Sequence, residues 1–107
     1  MRYLMMSKTS DQQPDQQVYA EMAKFVEELT AKGVLLATGG LDTTGFKLSA
    51  RDGEVTVTDG PFTEANEVAG GFVLVEVRSK EEAIELGRRF FAIVGDGEAF
   101  AQEVYGP

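Results

Sequence analysis

The chain has 107 residues, of which 43% are apolar, enough to fill the core of one domain. Ten basic residues against eighteen acidic ones give a net charge of −8, and such a surface repels nucleic-acid phosphates, so no direct binding of DNA or RNA is expected. The sequence contains no cysteine and no histidine, which excludes disulfides, thiolate chemistry, histidine proton transfer and a structural zinc site.

A metal site would have to use carboxylate and carbonyl oxygens alone, and no such oxygen cluster has the spacing of a metal-binding loop. We therefore predict neither a metal nor another cofactor. The N-terminus has six residues before polar ones begin, too few for a signal peptide or a membrane span. This predicts a cytoplasmic protein that does not contact a membrane.

The first part of the chain is predicted to form a strand, a helix and a second strand. Residues 2–6 are apolar on both alternating faces, as in a strand buried within a sheet. A polar loop then leads to an amphipathic helix, which Gly33 ends because glycine readily adopts a left-handed conformation. The second strand covers Val34 to Thr38, and Gly39 and Gly40 are interpreted as the turn that closes it. The apolar stripe of the helix consists of Val18, Met22, Phe25, Val26 and Leu29.

The middle of the chain has the pattern of a β-hairpin. Residues 46–51 and 54–58 both alternate apolar and polar side chains, and Asp52-Gly53 between them supplies the positive φ angles of a tight turn. The stretch that begins at Asp59-Gly60-Pro61 cannot continue an interior strand and predicts a loop.

The last part repeats the strand, helix and strand order. Phe72 to Val77 is apolar on both faces and follows Gly70-Gly71, which are interpreted as turn glycines. Ser79 stands at capping-box distance from Glu82 and starts a second helix, and Ala99 to Val104 is the last strand.

This order predicts an α+β fold in one domain, residues 1–107. Its class is ferredoxin-like βαββαβ with an extra hairpin, an antiparallel sheet that carries two helices on one face. The two strands that are apolar on both sides then have one face that the helices do not bury. Each large apolar side chain left in water on that face would lose about 1.5 to 3 kcal/mol of stabilisation, so we expect another surface to bury it. A second copy of the chain, giving a homodimer, is the predicted cover. The alternative is that the loop 7–13 or the C-terminal tail folds over that face.

The sequence in and after the predicted hairpin resembles that of a known protein family. The stretches Arg51-Asp52-Gly53, Val57 to Glu64 and Gly70-Gly71-Phe72, with Glu67 between them, resemble the signature of the DGPF group within the YCII-related family. The resemblance extends in order over nearly the whole chain and implies a dimeric α+β barrel with ferredoxin-like protomers. Some members are linked to sigma factors of the extracytoplasmic-function type, so the resemblance also permits a regulatory context of that kind.

Two features depart from that family pattern. The position that often holds lysine after the signature is Asn66, which removes a cation from the acidic loop. The histidine and aspartate pair associated with the YCII branch cannot be carried over, because the chain has no histidine.

Asp59 is the candidate catalytic residue, because a carboxylate at a strand exit before glycine and proline can be held at the mouth of a cleft. A hydrogen bond to its own turn is the structural alternative. Glu64 and Glu67 lie three residues apart and share a face if the segment is helical, where they would bind a cation or form a solvated acidic turn. The candidate ligand-binding residues are Asp59, Gly60, Pro61, Phe62, Glu64 and Glu67.

Outside this loop, Met5, Met6 and Met22 are interpreted as core residues. Arg88 and Arg89 would attract an anionic ligand or simply complement the dipole of the helix C-terminus.

Three functions remain open, and whether the protein is an enzyme is not decided by its residues. The first is a small dimeric protein whose cleft near the DGPF loop binds a small molecule or a partner. The second is a cofactor-independent enzyme that uses Asp59 as general acid or base. The third is a structural interaction module.

Overall fold

The computed structural model describes residues 1–8, 15–42, 44–60 and 69–106. Eight elements lie in this part of the chain, in the order strand, helix, four strands, helix and strand. They are β1 (Arg2–Lys8), α1 (Gln16–Ala31), β2 (Leu35–Gly40), β3 (Phe46–Arg51), β4 (Glu54–Asp59), β5 (Ala69–Glu76), α2 (Lys80–Val94) and β6 (Ala99–Glu103).

Four strands form one sheet in the spatial order β2-β5-β1-β6, and every neighbouring pair is antiparallel. Each helix links two strands that have a third strand between them, which is the interleaved topology of a ferredoxin-like fold. Among the described strands, β3 and β4 pair with each other and with no third strand, as a separate two-stranded sheet. The predicted fold class is confirmed.

Both helices pack against the same face of the four-stranded sheet. Val75 on the central strand β5 is 1% exposed, and β-sheet pairing places Tyr3 and Leu35 beside it on that face. Phe25 and Leu29 from α1, Ala83 from α2 and Val77 just after β5 complete the buried cluster. We call this side of the sheet the inner face.

The opposite side of the sheet, which we call the outer face, carries the alternate residues of each strand. Its large apolar side chains are Leu4, Met6, Phe72, Leu74 and Phe100. Phe100 is 55% exposed, and Lys8 lies 5.5 Å from the centre of its ring. The doubly apolar strands therefore do present a second face that the helices leave uncovered.

The ends of the helices follow from local sequence. Asp15 caps α1 by accepting a hydrogen bond from Val18 N at 2.9 Å, and Gly33, with φ of 73°, follows its last turn as predicted. The Ser79 hydroxyl oxygen accepts from Glu82 N at 3.2 Å, and the Glu82 carboxylate accepts from Arg78 N at 3.2 Å. The predicted capping pair at the start of α2 is confirmed.

The prediction that the two glycine pairs form turns is wrong, because both pairs lie within strands. Gly39 and Gly40 end β2, where they stand opposite Phe72 and Gly71 of β5. A Cβ atom on Gly39 would lie 3.0 Å from Phe72 Cε1, so the missing side chain leaves room for that ring. Glycine is required here by cross-strand packing, which a local turn pattern does not reveal.

The β3-β4 hairpin projects from this body, and we call its residues 46–59 the arm. Asp52 and Gly53 have φ angles of 52° and 83°, so the predicted tight turn is confirmed. At its base Gly60 N donates to Gly45 O at 2.7 Å. The Cα radius of gyration is 16.0 Å, against about 13 Å for a compact chain of this length, which reflects the protruding arm.

Neither helix in the described part of the chain is long and apolar enough to cross a membrane.

Candidate ligand cavity

A cavity of about 200 Å³ lies between the two helices and the inner face of the sheet. Helix α1 contributes one wall and helix α2 another, while β1 and β5 form the floor. The side chains that define it are Met22 and Phe25 from α1, Leu86 and Phe90 from α2, Met5 from β1 and Val73 from β5. The walls are therefore aromatic and flexible aliphatic groups, the types that favour an apolar ligand.

The cavity lies at one end of the sheet. Ser7 near the end of β1 and Gly39 near the end of β2 line it, together with Gly71 and Ala99 near the starts of β5 and β6. In an antiparallel sheet the end of one strand lies beside the start of its neighbour, so these four residues lie at the same end of the sheet. The segment 61–68, which contains the last part of the DGPF block and Glu67, precedes β5 in the chain, and β5 starts at this same end.

Small residues keep part of this space open. Gly87 lies on the side of α2 that faces the cavity, and a Cβ atom built on it would lie 3.7 Å from Met5 Cε. A Cβ atom on Gly71 would lie 3.3 Å from Gly39 O and 3.8 Å from Ser7 Oγ. A larger side chain at Gly87 would occupy the volume between α2 and β1.

Among the described residues that line the cavity, the polar side chains are the hydroxyls of Ser7 and Thr38, and none is charged. Thr38 Oγ1 donates to Phe72 O at 3.0 Å, which leaves its oxygen as an acceptor. The segments 9–14 and 61–68 contain neither lysine nor arginine, although they contain Asp11, Glu64 and Glu67. Because none of these lining residues is charged, neither an anionic nor a cationic ligand would find a counter-charge on the described wall, so the cavity suits an uncharged ligand.

An ion pair joins the two helices beside the cavity. Arg89 on α2 donates to both carboxylate oxygens of Glu28 on α1, at 2.6 and 2.9 Å, and its guanidinium carbon lies 4.7 Å from the centre of the Phe25 ring. Hydrogen bonds from Arg89 and then Lys32 lower the pKa of the Glu28 carboxyl to about 2, and the bond to Glu28 raises the pKa of Arg89. Because Phe25 is a wall residue, this pair contacts the cavity wall.

The family of the chain follows from a comparison of its sequence with known domains. Residues 1–98 match the YCII-related domain. The chain belongs to the YCII-related family. The resemblance seen at the signature residues is thereby confirmed over most of the length of the chain, and no functionally curated protein matches it.

A solved structure similar to this YCII-related chain is 5-chloro-2-hydroxyhydroquinone dehydrochlorinase TftG from Burkholderia phenoliruptrix, in complex with 2,5-dihydroxybenzoquinone. The likeness covers 100% of this chain and 96% of that chain, with a TM-score of 0.57 and 17% sequence identity. It supports the fold.

The site residues predicted for this YCII-related chain lie away from the cavity wall or outside the described residues. Asp59 is exposed at the end of β4, where it pairs with Phe46, and Gly60 is partly buried at the base of the arm. Pro61, Phe62, Glu64 and Glu67 lie outside the described residues. Their roles in binding or catalysis, and that of Asp59, stay predictions.

Two other groups of residues have roles that the sequence did not identify. The wall residues Met5 and Met22 have the spacing of ordinary core positions, and apolar periodicity does not distinguish a filled core from one with a cavity. Gly87 lies within an otherwise regular helix, and its missing side chain was a local sign that the space beside the helix is not filled. Arg89, predicted to attract a ligand or to complement the helix dipole, pairs with Glu28, and Arg88 pairs with Glu85.

Proposed function

We propose that this YCII-related protein is a homodimer that binds a small, uncharged, monocyclic aromatic molecule in the cavity between its helices and its sheet. The observation that carries the proposal is the apolar cavity of about 200 Å³. An apolar cavity of about 150 Å³ is enough to hold benzene, so this one has room for one ring with small substituents.

The wall chemistry supports an aromatic ligand over an aliphatic one. Phe25 and Phe90 offer ring edges and faces to a bound ring, and the thioethers of Met5 and Met22 adapt to its outline. The hydroxyl of Ser7 would donate to an oxygen substituent. TftG was solved with 2,5-dihydroxybenzoquinone, a single oxygenated ring, which is consistent with a ligand of this size.

The outer face of the sheet supports the homodimer. Five large apolar side chains share that face, and the described part of the C-terminal tail leaves Val104 and Tyr105 at 41% and 85% exposure instead of folding them over it. Pairing of two outer faces across a two-fold axis would bury them. Sedimentation at low micromolar concentration tests this, and a stable folded monomer would contradict it.

Thermal unfolding in the presence of single-ring compounds tests the ligand class. We expect phenol and hydroquinone to raise Tm by about 5 °C or more at ten times Kd, because a ligand that binds only the folded state stabilises it. Benzoate should give no shift at the same concentration, since its carboxylate would be buried without a counter-charge. Equal shifts with benzoate, or no shift with any single-ring compound, would contradict the proposal.

An enzymatic role is the second candidate, favoured by the name of TftG as a dehydrochlorinase. In that case Asp59 would act as general acid or base without a cofactor. An Asp59→Asn variant that binds a discovered substrate normally but loses turnover would support this role. Unchanged turnover would remove Asp59 from the mechanism. The interaction-module reading, the sigma-factor context and a cytoplasmic location stay predictions.

A further inference from the structure

The arm is a hairpin whose residues all lie at the surface. Every residue of β3 and β4 is exposed on both faces of the hairpin. A two-stranded hairpin alone is at best marginally stable in water and gains independent stability from a third strand or from packing on another element. An arm with a well-formed ladder and no cover from the described residues of its own chain therefore indicates a docking partner.

The two faces of the arm differ in chemistry. Phe46, Leu48, Val55 and Val57 share one face through the pairs Leu48 with Val57 and Phe46 with Asp59, and each is 59–63% exposed. The opposite face carries Lys47, Ser49, Arg51, Glu54, Thr56 and Thr58. We call the first of these the apolar face of the arm. A one-sided apolar surface of this kind fits another apolar surface and not water.

We propose that the apolar face of the arm docks on the part of the partner's outer face that the pairing of the two sheets leaves open, so that two arms clasp a two-fold dimer of this chain. The inference rests on the proposed homodimer and adds the arm to its interface.

The area required for a stable dimer favours a second copy as the occupant. A stable interface buries about 800 Å² per partner, from about 20 to 30 residues. The outer face of four strands presents about a dozen residues by its pairing registers, which is too few alone, and the apolar face of the arm adds about half as many. In a two-fold dimer each contact between the arm of one chain and the outer face of the other occurs twice. The apolar face of the arm and the outer face of the sheet are therefore both covered in each chain.

The charges on the two surfaces are compatible. The outer face carries Arg2 and Lys8 beside its apolar residues, and each is paired with an acid, Arg2 with Glu76 at 2.9 Å and Lys8 with Glu98 at 3.3 Å. The apolar face of the arm carries one charged residue, Asp59, at its base. Asp59 on the arm therefore meets a surface whose charges are balanced and not the acidic surface that the net charge of −8 would suggest.

Two neighbouring residues of β3 provide a matched test. Leu48→Glu places a charge on the apolar face of the arm, whereas Ser49→Glu adds the same charge to the polar face of the same strand. By sedimentation, we expect the dimer dissociation constant of Leu48→Glu to rise at least about 30-fold and that of Ser49→Glu to stay near the wild-type value. Equal dissociation constants for the two variants, or a monomeric wild type, would overturn the proposal.

A variant on the outer face distinguishes two outcomes: that the arm does not dock on the partner, and that the homodimer does not form. Leu74→Glu should also dissociate the dimer if the sheets pair through their outer faces. If Leu74→Glu gives a monomer and Leu48→Glu does not, the homodimer stands and the docking of the arm is overturned.

A cross-link keeps the test valid if Leu48→Glu fails to fold. The chain has no cysteine, so Val57→Cys can carry a single photoreactive benzophenone. In a mixture of isotope-labelled and unlabelled chains, we expect adducts between chains on β1, β5 or β6. Adducts on α1 or α2, or only within one chain, would overturn the proposal.

Discussion

Arg89 and Glu28 join the two helices through a bidentate ion pair, with N to O distances of 2.6 and 2.9 Å, although they lie 61 residues apart in the chain. The guanidinium of Arg89 also lies over Phe25, so one residue connects the helix pair to the cavity wall. Planar bidentate geometry is specific to arginine, and a lysine would not reproduce it.

The first prediction concerns the dependence of stability on pH. The folded-state pKa of Glu28 is lowered from 4.5 to about 2, so the charged carboxylate stabilises the folded state above about pH 4.5, and this contribution is lost as the pH falls towards 2. Glu28→Gln should therefore unfold at lower urea concentration than wild type at pH 7, and the difference should shrink between pH 4.5 and 2. Glu27→Gln, exposed on the same helix, is the control. A difference between Glu28→Gln and wild type that is independent of pH would contradict this role.

The second prediction compares two glycines of different conformation. Gly87→Ala should stabilise the fold by about 0.5 to 1 kcal/mol, because alanine is the better helix former and its Cβ would lie 3.7 Å from Met5 Cε, an ordinary contact. Gly33→Ala should destabilise it by about 1 to 2 kcal/mol, since Gly33 has φ of 73°. Urea unfolding of both variants measures this. Destabilisation by Gly87→Ala would mean that the cavity does not extend to α2 as described.

The third prediction concerns the close approach of β2 and β5. Gly39→Ala should destabilise the protein by about 1 to 3 kcal/mol, because its Cβ would lie 3.0 Å from Phe72 Cε1 and the ring would have to shift. Gly40→Ala is the matched control, since its nearest neighbouring atom is Gly70 O at 4.0 Å. Equal stabilities of the two variants, by urea unfolding, would show that the Phe72 ring moves without cost.

Much of the fold could be predicted because its signals are local. Ser79 and Glu82 mark the start of α2 by spacing alone, and Asp52-Gly53 marks the hairpin turn. The alternation of apolar residues in β5 predicted two apolar faces, and Val75 and Phe72 do lie on opposite sides of the sheet.

The features that escaped prediction depend on contacts between distant segments. Gly39 is in a strand because β2 pairs with β5, and glycine suits the position because the ring of Phe72, 33 positions later in the sequence, lies across from it. The cavity is unfilled volume, and the side chains of Met5 and Phe25 have the same periodicity whether the space between them is filled or not. For the DGPF-type loop, the general acid or base role of Asp59 is a hypothesis from the sequence. A ligand that binds the protein would test it.

The measurement that tests the central claim most directly is isothermal titration of hydroquinone into wild type, Gly87→Leu and Ala92→Leu. The leucine at Gly87 would fill the space beside Met5, whereas Ala92 is exposed on the same helix and serves as the matched control. We predict saturable binding with similar Kd for wild type and Ala92→Leu, and a Kd at least about tenfold higher for Gly87→Leu while the fold is retained by circular dichroism. Equal binding by the folded Gly87→Leu variant, or no binding by wild type, would contradict the assignment of the cavity as the ligand site.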